Sequence, residues 1–556
     1  MNILPRFAFL VATAVFSVAS SLQAQMQRPD HDVDHRPVVL MQGLGDVHHT
    51  IHTTNPEAQK FFDQGMAFIY AFNHDEARRS FQHAAELDPA APMPLWGVAL
   101  AVGPNYNDID IGNVRENAAA AAITKAKTLA ATGSAVERDY VDALAQRFSA
   151  DASADRPTLL KQYARAMKQL VTKYPDDLDA ATLYAEAMMD IHPWQLWAAD
   201  GSPTEGTLEI VMTLESVLKR DPNHLGANHF YIHAVEASPD PEVALASAKR
   251  METMAPAAGH LVHMPAHIYQ RVGEFKDAAD ANERAVQADR TYFSRYGLNG
   301  VVNMYDMMYY SHNMHFMASS CSMEGNFACA RDASTQLAEH VLSEVPQAAM
   351  LEWFLPMQPW MLVRFQRWDD VLKTPLPDAK LKASTAIWHY ARGLAYTGEH
   401  DLQQAAAERE HLSESIRTLP SDISPAFLNP AATVLNLALT VLNARIAEAK
   451  SDHTKAIELW RSAVKQQDAL FYNEPPDWYY PIRESLGGAL LRDGQATEAE
   501  TIFRDDLKQN PRSGRSLFGL YQSLKAQHRD ADAAWVETQF KAAWKDADSQ
   551  ITVNDL

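Results

Sequence analysis

The sequence predicts an all-α protein made of stacked helical hairpins. Three observations predict it: a composition that favours helix, small and aromatic residues that recur along the chain, and histidines that keep a 34-residue spacing. Glycine supplies 22 of 556 residues, below the usual share of about 7%, and Ala, Leu, Glu and Gln are plentiful. Hydrophobic residues make up 47% of the chain, which suits large cores and excludes wholesale disorder. Length alone suggests roughly three or four domains, a prior that fails for repeats. Asp and Glu number 70 against 49 Lys and Arg, for a net charge of −21. Nucleic acid and anionic membrane surfaces both need a cationic face, so neither is expected as the main partner. Two cysteines are too few for a disulfide-built scaffold or a four-cysteine zinc site.

Residues 1–24 carry a single charge, Arg6, then the apolar run 7–18 and a small-residue exit ending at Ala24. This is the form of a secretory signal peptide cleaved after Ala24. No other uninterrupted apolar stretch approaches the ~18 residues that span a bilayer. The expectation is an exported protein with no transmembrane segment after cleavage, most simply in a bacterial periplasm, where disulfides form. Residues 25–54 read as a polar, irregular lead-in, a loose solvated segment in which His48, His49 and His52 only secondarily add ligands.

Hairpins begin near residue 55. The first reads Phe61, Gly65, Phe68, Ala77, Phe81, Ala84 and Pro89; a second clear copy reads Leu486, Gly487, Leu490, Gly494, Ala499, Phe503 and Pro511. The next unit carries Leu517, Leu520, Leu524 and Ala533. Tyr269, Gly273, Phe275, Ala278 and Ala285 fit the same template, as do Gly325, Phe327 and Ala330. Weaker units lie at 353–371 and 388–405. On these residues the chain resembles the tetratricopeptide-repeat family over most of 55–545. The resemblance implies a right-handed α-solenoid in which the first helix of each pair lines a concave groove that usually binds peptides. A lone hairpin cannot bury its apolar face, so neighbours stack into one core. The expected organisation is N-terminal repeats at 55–220, histidine-rich repeats at 221–345 and C-terminal repeats at 346–556.

Eight of 22 histidines fall between His224 and His315, more than twice their even share. His229 and His233 are four apart with Glu236 three further on, so all three share a helix face. His260, His263 and His267 form a second set, in which His263 and His267 lie one 34-residue period after His229 and His233. His312 and His315 form a third set, displaced by an insertion around 291–308. Aligned on the family template, these histidines occupy the second, fifth and ninth positions of three successive first helices, which the resemblance places in the groove. Two imidazoles four apart on a helix can chelate one ion, and packed helices lie about 8–10 Å apart, so rings from neighbouring hairpins converge. The expected metal ligands are His229, His233, His260, His263, His267, His312 and His315. Glu236, on the face of His233, is a candidate ligand or outer base, the alternative being an ordinary groove carboxylate, and His224, outside the register, is structural.

Imidazole suits zinc, copper, iron and nickel alike. Copper is favoured, with zinc or iron as alternatives, because two ions with about three imidazoles each exceed what one closed zinc site needs. Nine of 21 methionines lie between Met251 and Met323, but Met314 and Met317 align with packing positions; Met304, Met307 and Met308 sit in the insertion. No zincin, nucleophile-elbow, phosphate-loop or haem-attachment motif occurs. Tyr231, Tyr269, Tyr309 and Tyr310 read as packing residues before acid–base or redox partners. Trp194, Trp197, Trp353 and Trp360 read as core before the wall of an apolar pocket. The loop 103–107 interrupts its unit where a groove opens.

Cys321 and Cys329 flank the turn Glu324-Gly325-Asn326, one on each helix of a hairpin, at a separation that permits a disulfide. The leading expectation is an exported solenoid holding one or two transition-metal ions and acting as a metal-dependent, oxidative enzyme on a small molecule. The rivals are a scaffold that binds a peptide in its groove without metal, and a metal carrier without catalysis.

Overall fold

One ring on two glycines repeats through the chain. The Phe81 side chain fills the space where side chains on Gly65 and Gly97 would stand, so it seats itself between its own partner helix and the first helix of the next hairpin. Phe503 does the same between Gly487 and Gly519. The turn within a hairpin takes one left-handed residue, which Gly273, Gly325 and Gly494 adopt without steric cost at φ between +78° and +86°. Elsewhere a side chain accepts that conformation, as at Phe72 (φ 54°), His400 (φ 61°) and Ser451 (φ 60°). Asn73, Asp401 and Asp452 follow these three and cap the next helix through their side chains.

The computed structural model describes residues 36–131, 133–149, 154–298, 303–346, 348–420 and 428–556. The expected signal peptide at 1–24 lies outside the described residues. Among those described, helices follow one another as antiparallel pairs, beginning with Pro56–Tyr70 and His74–Leu87 and ending with Gly514–Ala526 and Asp530–Ala543. First helices of neighbouring hairpins also pack together, as Lys382–Gly398 does on Ala431–Ala449. This is an α-solenoid of tetratricopeptide-like hairpins. No helix among the described residues is long and apolar enough to cross a membrane.

Two features close the coil where the histidines lie. The first described helix, Pro56–Tyr70, reaches Leu225–Val235 several hairpins later, with the Tyr70 ring seated on Gly226. Residues 36–54 correct the expectation of a loose lead-in. Met41 N–H donates to the Gln64 side chain (2.6 Å), Ala257 N–H donates to Gly43 O (2.9 Å), and Leu44 and Ile51 are buried in the core. This segment lies fixed because its main-chain polar groups find partners on the helices beneath. Among the described residues, buried apolar side chains form two cores, one drawn mainly from Leu44 to Ala281 and one from Ala279 to Leu556.

Candidate metal centre

Leu225–Val235 projects His229 and His233 inward. Pro265 opens a second helix straight after Gly259–His263, and these two short helices carry His260, His263 and His267. A π-helical turn, Tyr305–Tyr310, leads into Ser311–Glu324, which brings His312. The imidazoles gather into two triads. Donor nitrogens of His229, His233 and His260 lie within 4.8 Å of one another, and so do those of His263, His267 and His312. Nε2 of His229 faces Nε2 of His260 at 3.1 Å, and Nε2 of His263 faces Nε2 of His267 at 2.7 Å. Nitrogens sharing an ion bound at about 2.0–2.1 Å stand about 3 Å apart, so this clustering fits shared coordination. The triads adjoin through His233 and His267, whose ring centroids are 5.3 Å apart.

Outer acceptors fix the tautomers. His229 donates from Nδ1 to the Tyr70 carbonyl (2.7 Å). His233 presents Nδ1 to Glu236 Oε1 (2.9 Å). His263 donates from Nδ1 to Asn282 Oδ1 (2.6 Å), whose amide is oriented by its own bond to Ala278 O (2.8 Å). Each arrangement leaves an Nε2 lone pair inside the cluster, the disposition that metal-bound histidine requires. His233 Nε2 and His260 Nδ1 are buried with no hydrogen-bond partner. The main chain at His260 is also held: its N–H donates to Tyr305 OH (3.0 Å), which donates to Asp289 Oδ1 (3.0 Å), and Asn313 donates to Asp289 Oδ2 (2.8 Å).

Burial and neighbouring imidazoles hold His229, His260, His263 and His312 well below the usual imidazole range. Burial likewise lowers His233. Neutral imidazole is the ligating form. His267 differs. Burial opposes its charge, yet its Nδ1 touches the carboxylates of Glu236 and Glu474, which push it up to about 10. Burial, then the charge on Glu236, pushes Glu474 up to about 8. Glu474 Oε2 meets His267 Nδ1, and its Oε1 is buried without a hydrogen-bond donor.

The site is enclosed, which corrects the expectation of an open groove: His229, His233, His260, His263 and His267 are all buried. Phe72 stacks on His233 and His260, with centroids 5.8 and 5.4 Å away. Trp194 and Tyr106 cover His233, Tyr309 covers His260, and Phe316 lies 5.2 Å from both His263 and His267. The loop 103–107 reaches the wall through Tyr106 and through Asn107, which donates to Tyr309 OH (2.9 Å). Trp197, Trp353 and Trp360 pack in the cores. Tyr231, Tyr269 and Tyr310 bond outer groups, namely Glu215, Glu252 and Arg290.

His315 does not join the triads. A three-residue step along the helix turns it toward the next hairpin, where its ring meets Phe354 at 5.3 Å and burial lowers it to about 4. Met307, Met308 and Met314 pack with the second core. His49 and His224 bond Asp179, at 2.8 and 3.2 Å, away from the clustered imidazoles. Cys321 and Cys329 are joined as a disulfide with Cα atoms 5.8 Å apart, at the far end of the helix that carries His312. Sequence reasoning missed Phe72, Asn282 and Glu474. Asn282 sits on Phe275–Arg295, the helix after the one that carries His267, Phe72 sits in the turn between Pro56–Tyr70 and His74–Leu87, and only the Pro475-Pro476 pair marked the loop that delivers Glu474.

No family model and no curated protein matches the sequence. Among solved structures the chain is similar to human IFIT1 with m7Gppp-AAAA, at 11% identity over 89% of this chain and 92% of that one, TM-score 0.33. It is also similar to yeast Tom70, at 12% identity over 90% and 93%, TM-score 0.29. A third similarity is to the APC/C hetero-tetramer Cut9-Hcn1, at 11% identity over 89% and 95%, TM-score 0.28. The hairpin packing described above establishes the fold from this chain alone.

Proposed function

We propose that the two imidazole triads hold a pair of transition-metal ions, copper first, and that the protein is a metal-dependent oxidative enzyme acting on a small molecule. The observation that carries this reading is the set of outer acceptors on Nδ1 of His229, His233 and His263, which leaves Nε2 lone pairs converging in a buried space. A solvated or merely structural histidine needs no such arrangement. Without an ion, His233 Nε2 would stay buried and unpaired, at a cost of about 1–3 kcal/mol.

Copper bound there would supply one-electron steps, whereas zinc would supply Lewis acidity alone. The chain's own residues orient the imidazoles and hold all of them but His267 neutral. Tyr70 O, Asn282 and Glu236 retain the Nδ1 protons, and Glu236 and Glu474 receive or return a proton at His267 Nδ1. Phe72, Tyr106, Trp194 and Tyr309 exclude bulk water. Three protein ligands per ion leave coordination positions for a small molecule. Deep burial speaks against a carrier, which must exchange its ions readily. The Cys321–Cys329 disulfide supports export to an oxidising compartment such as the periplasm.

Elemental analysis of the purified protein tests the reading. Two equivalents of copper per chain, with copper-dependent oxygen consumption once a substrate is supplied, are expected. Absence of stoichiometric metal after loading would remove it.

A further inference from the structure

One carboxylate outside the metal centre braces the first triad from two sides. Asp179 stands at the start of the helix Leu178–Met189. Its Oδ1 accepts from Tyr70 OH (2.5 Å) and from His224 Nε2 (3.2 Å), and its Oδ2 meets Nδ1 of His49 (2.8 Å). Burial opposes its charge, yet the bonds from His224 and His49 outweigh burial and hold the carboxyl well below the usual carboxylate range. The tautomer of His224 is fixed. Its Nδ1 accepts the Ala227 N–H (3.2 Å), so Nε2 carries the proton that Asp179 receives. His49, Asp177 and Asp179 bring ligand-type atoms within 4.8 Å of one another. Both oxygens of Asp177 are taken, by Ala180 N–H (2.9 Å) and Tyr140 OH (2.9 Å), so the group is a brace and not a third ion site.

The first side runs through Tyr70, the last residue of Pro56–Tyr70. Its hydroxyl is tied to Asp179, its ring fills the space over Gly226, and its carbonyl accepts from His229 Nδ1 (2.7 Å). Two residues on, the Phe72 ring centroid lies 4.5, 5.8 and 5.4 Å from those of His229, His233 and His260. This helix end therefore meets every imidazole of the first triad.

The second side runs through His224. It is the N-cap of Leu225–Val235, the helix that carries His229 and His233, and a cap fixes where a helix begins. The second triad has other supports: Asn282 on His263, and Glu236 and Glu474 on His267.

We propose that Asp179 is a positioning residue for the ion held by His229, His233 and His260, and that it has no part in holding the ion at His263, His267 and His312. The inference rests on the triads being ion sites. Because His49 is the third partner of Asp179, residues 36–54 belong to the same support. Partners that orient a metal-bound histidine govern about 10–100-fold in affinity, and Asp179 acts one step further out, which sets the expected effect at about tenfold.

Copper affinity of the full chain, measured by competition with a chromophoric chelator, tests it on two backgrounds. His263→Ala leaves the first triad complete, and His233→Ala leaves the second. Asp179→Ala is expected to weaken copper binding about tenfold on the first background and to leave it unchanged on the second. Asp179→Asn keeps an oxygen for Tyr70 and His224 and is expected to lose less than Asp179→Ala does. Unchanged affinity of Asp179→Ala on the first background overturns the proposal. An equal loss on both backgrounds, the mark of a merely structural role, also overturns it, as does a loss in Asp179→Asn equal to that in Asp179→Ala. Where Asp179→Ala costs far-UV helical signal, Tyr70→Phe replaces it, because the ring stays on Gly226 and only the tie to Asp179 is lost. A loss confined to the first background is then expected, and no loss overturns the proposal. Copper bound by neither background, before Asp179 is altered, removes the reading of the triads as ion sites and this inference with it.

Discussion

The inner faces of the two halves bury polar side chains in opposite ways. In the first half the residues are imidazoles: His229 and His263 are held neutral by burial, each with Nδ1 tied to an acceptor and Nε2 turned inward, while the carboxylates of Glu236 and Glu474 favour the charged form of His267. In the second half they are guanidinium groups, which stay charged and turn their buried N–H groups to carboxylates and carbonyls. Neutral burial leaves lone pairs available to a cation. Charged burial leaves donors that need oxygen acceptors, which the chain's own segment 553–556 supplies. One hairpin architecture therefore buries either base, and the choice of base decides whether lone pairs or N–H donors face inward.

The largest effect that would break this contrast is loss of the ions. His233→Ala with His263→Ala removes one ligand from each triad and is expected to abolish bound metal while far-UV circular dichroism stays unchanged. His315→Ala, which touches Phe354 instead of the triads, is expected to keep the full complement. Metal lost equally from both proteins would show that the grouping into triads is wrong.

The same change at two glycines sharpens the contrast. Gly226→Ala drives a methyl into the Tyr70 ring, and Tyr70 O is the acceptor for His229, so destabilisation of about 1–3 kcal/mol and weaker metal affinity are expected. Gly488→Ala meets Leu556 and is expected to leave metal affinity intact while residues 549–556 become open to limited proteolysis. Metal titration and digestion of both variants check this pair of outcomes.

Cys321→Ser with Cys329→Ser opens a link between residues eight apart. In the chain-entropy picture so short a loop contributes about 2–3 kcal/mol. A lower Tm is expected, with the ions retained, because His312 lies at the other end of the helix. Thermal denaturation with metal analysis before and after heating would show it.

The smallest effect concerns pH. Burial pushes Asp289 up to about 8, so the folded state holds its proton more tightly than the unfolded chain does. Its contribution is complete below the ordinary aspartate range and is lost as pH rises through about 8. In Asp289→Asn the amide still accepts from Tyr305, and the unpaired Asn313 Oδ1 can turn to accept from it. The Tm of the variant relative to the unaltered protein is therefore expected to rise from pH 5 to pH 9. A flat difference would contradict the neutral form.

Gly65, Phe81, Gly487 and Phe503 were legible as hairpin contacts because a repeat must reuse the same small and large residues wherever helices meet. The 34-residue step from His229 and His233 to His263 and His267 was legible for the same reason. Enclosure was not. It arises from Tyr70 meeting Gly226 and from the N-terminal segment crossing the coil, contacts between distant hairpins that no local period records. Glu474 was hidden because it arrives on a loop from the other half, and Phe72 because hairpin turns leave the choice of side chain open. His315 fitted the register but not the site, since spacing fixes a helix face without saying which neighbour that face meets.

X-ray absorption at the metal edge of the purified protein tests the central claim most directly. Three imidazole nitrogens per ion, with the scattering pattern of intact imidazole rings, are the expected result. A first shell containing sulfur, or oxygen alone, would contradict the assignment of the ions to His229, His233 and His260 and to His263, His267 and His312.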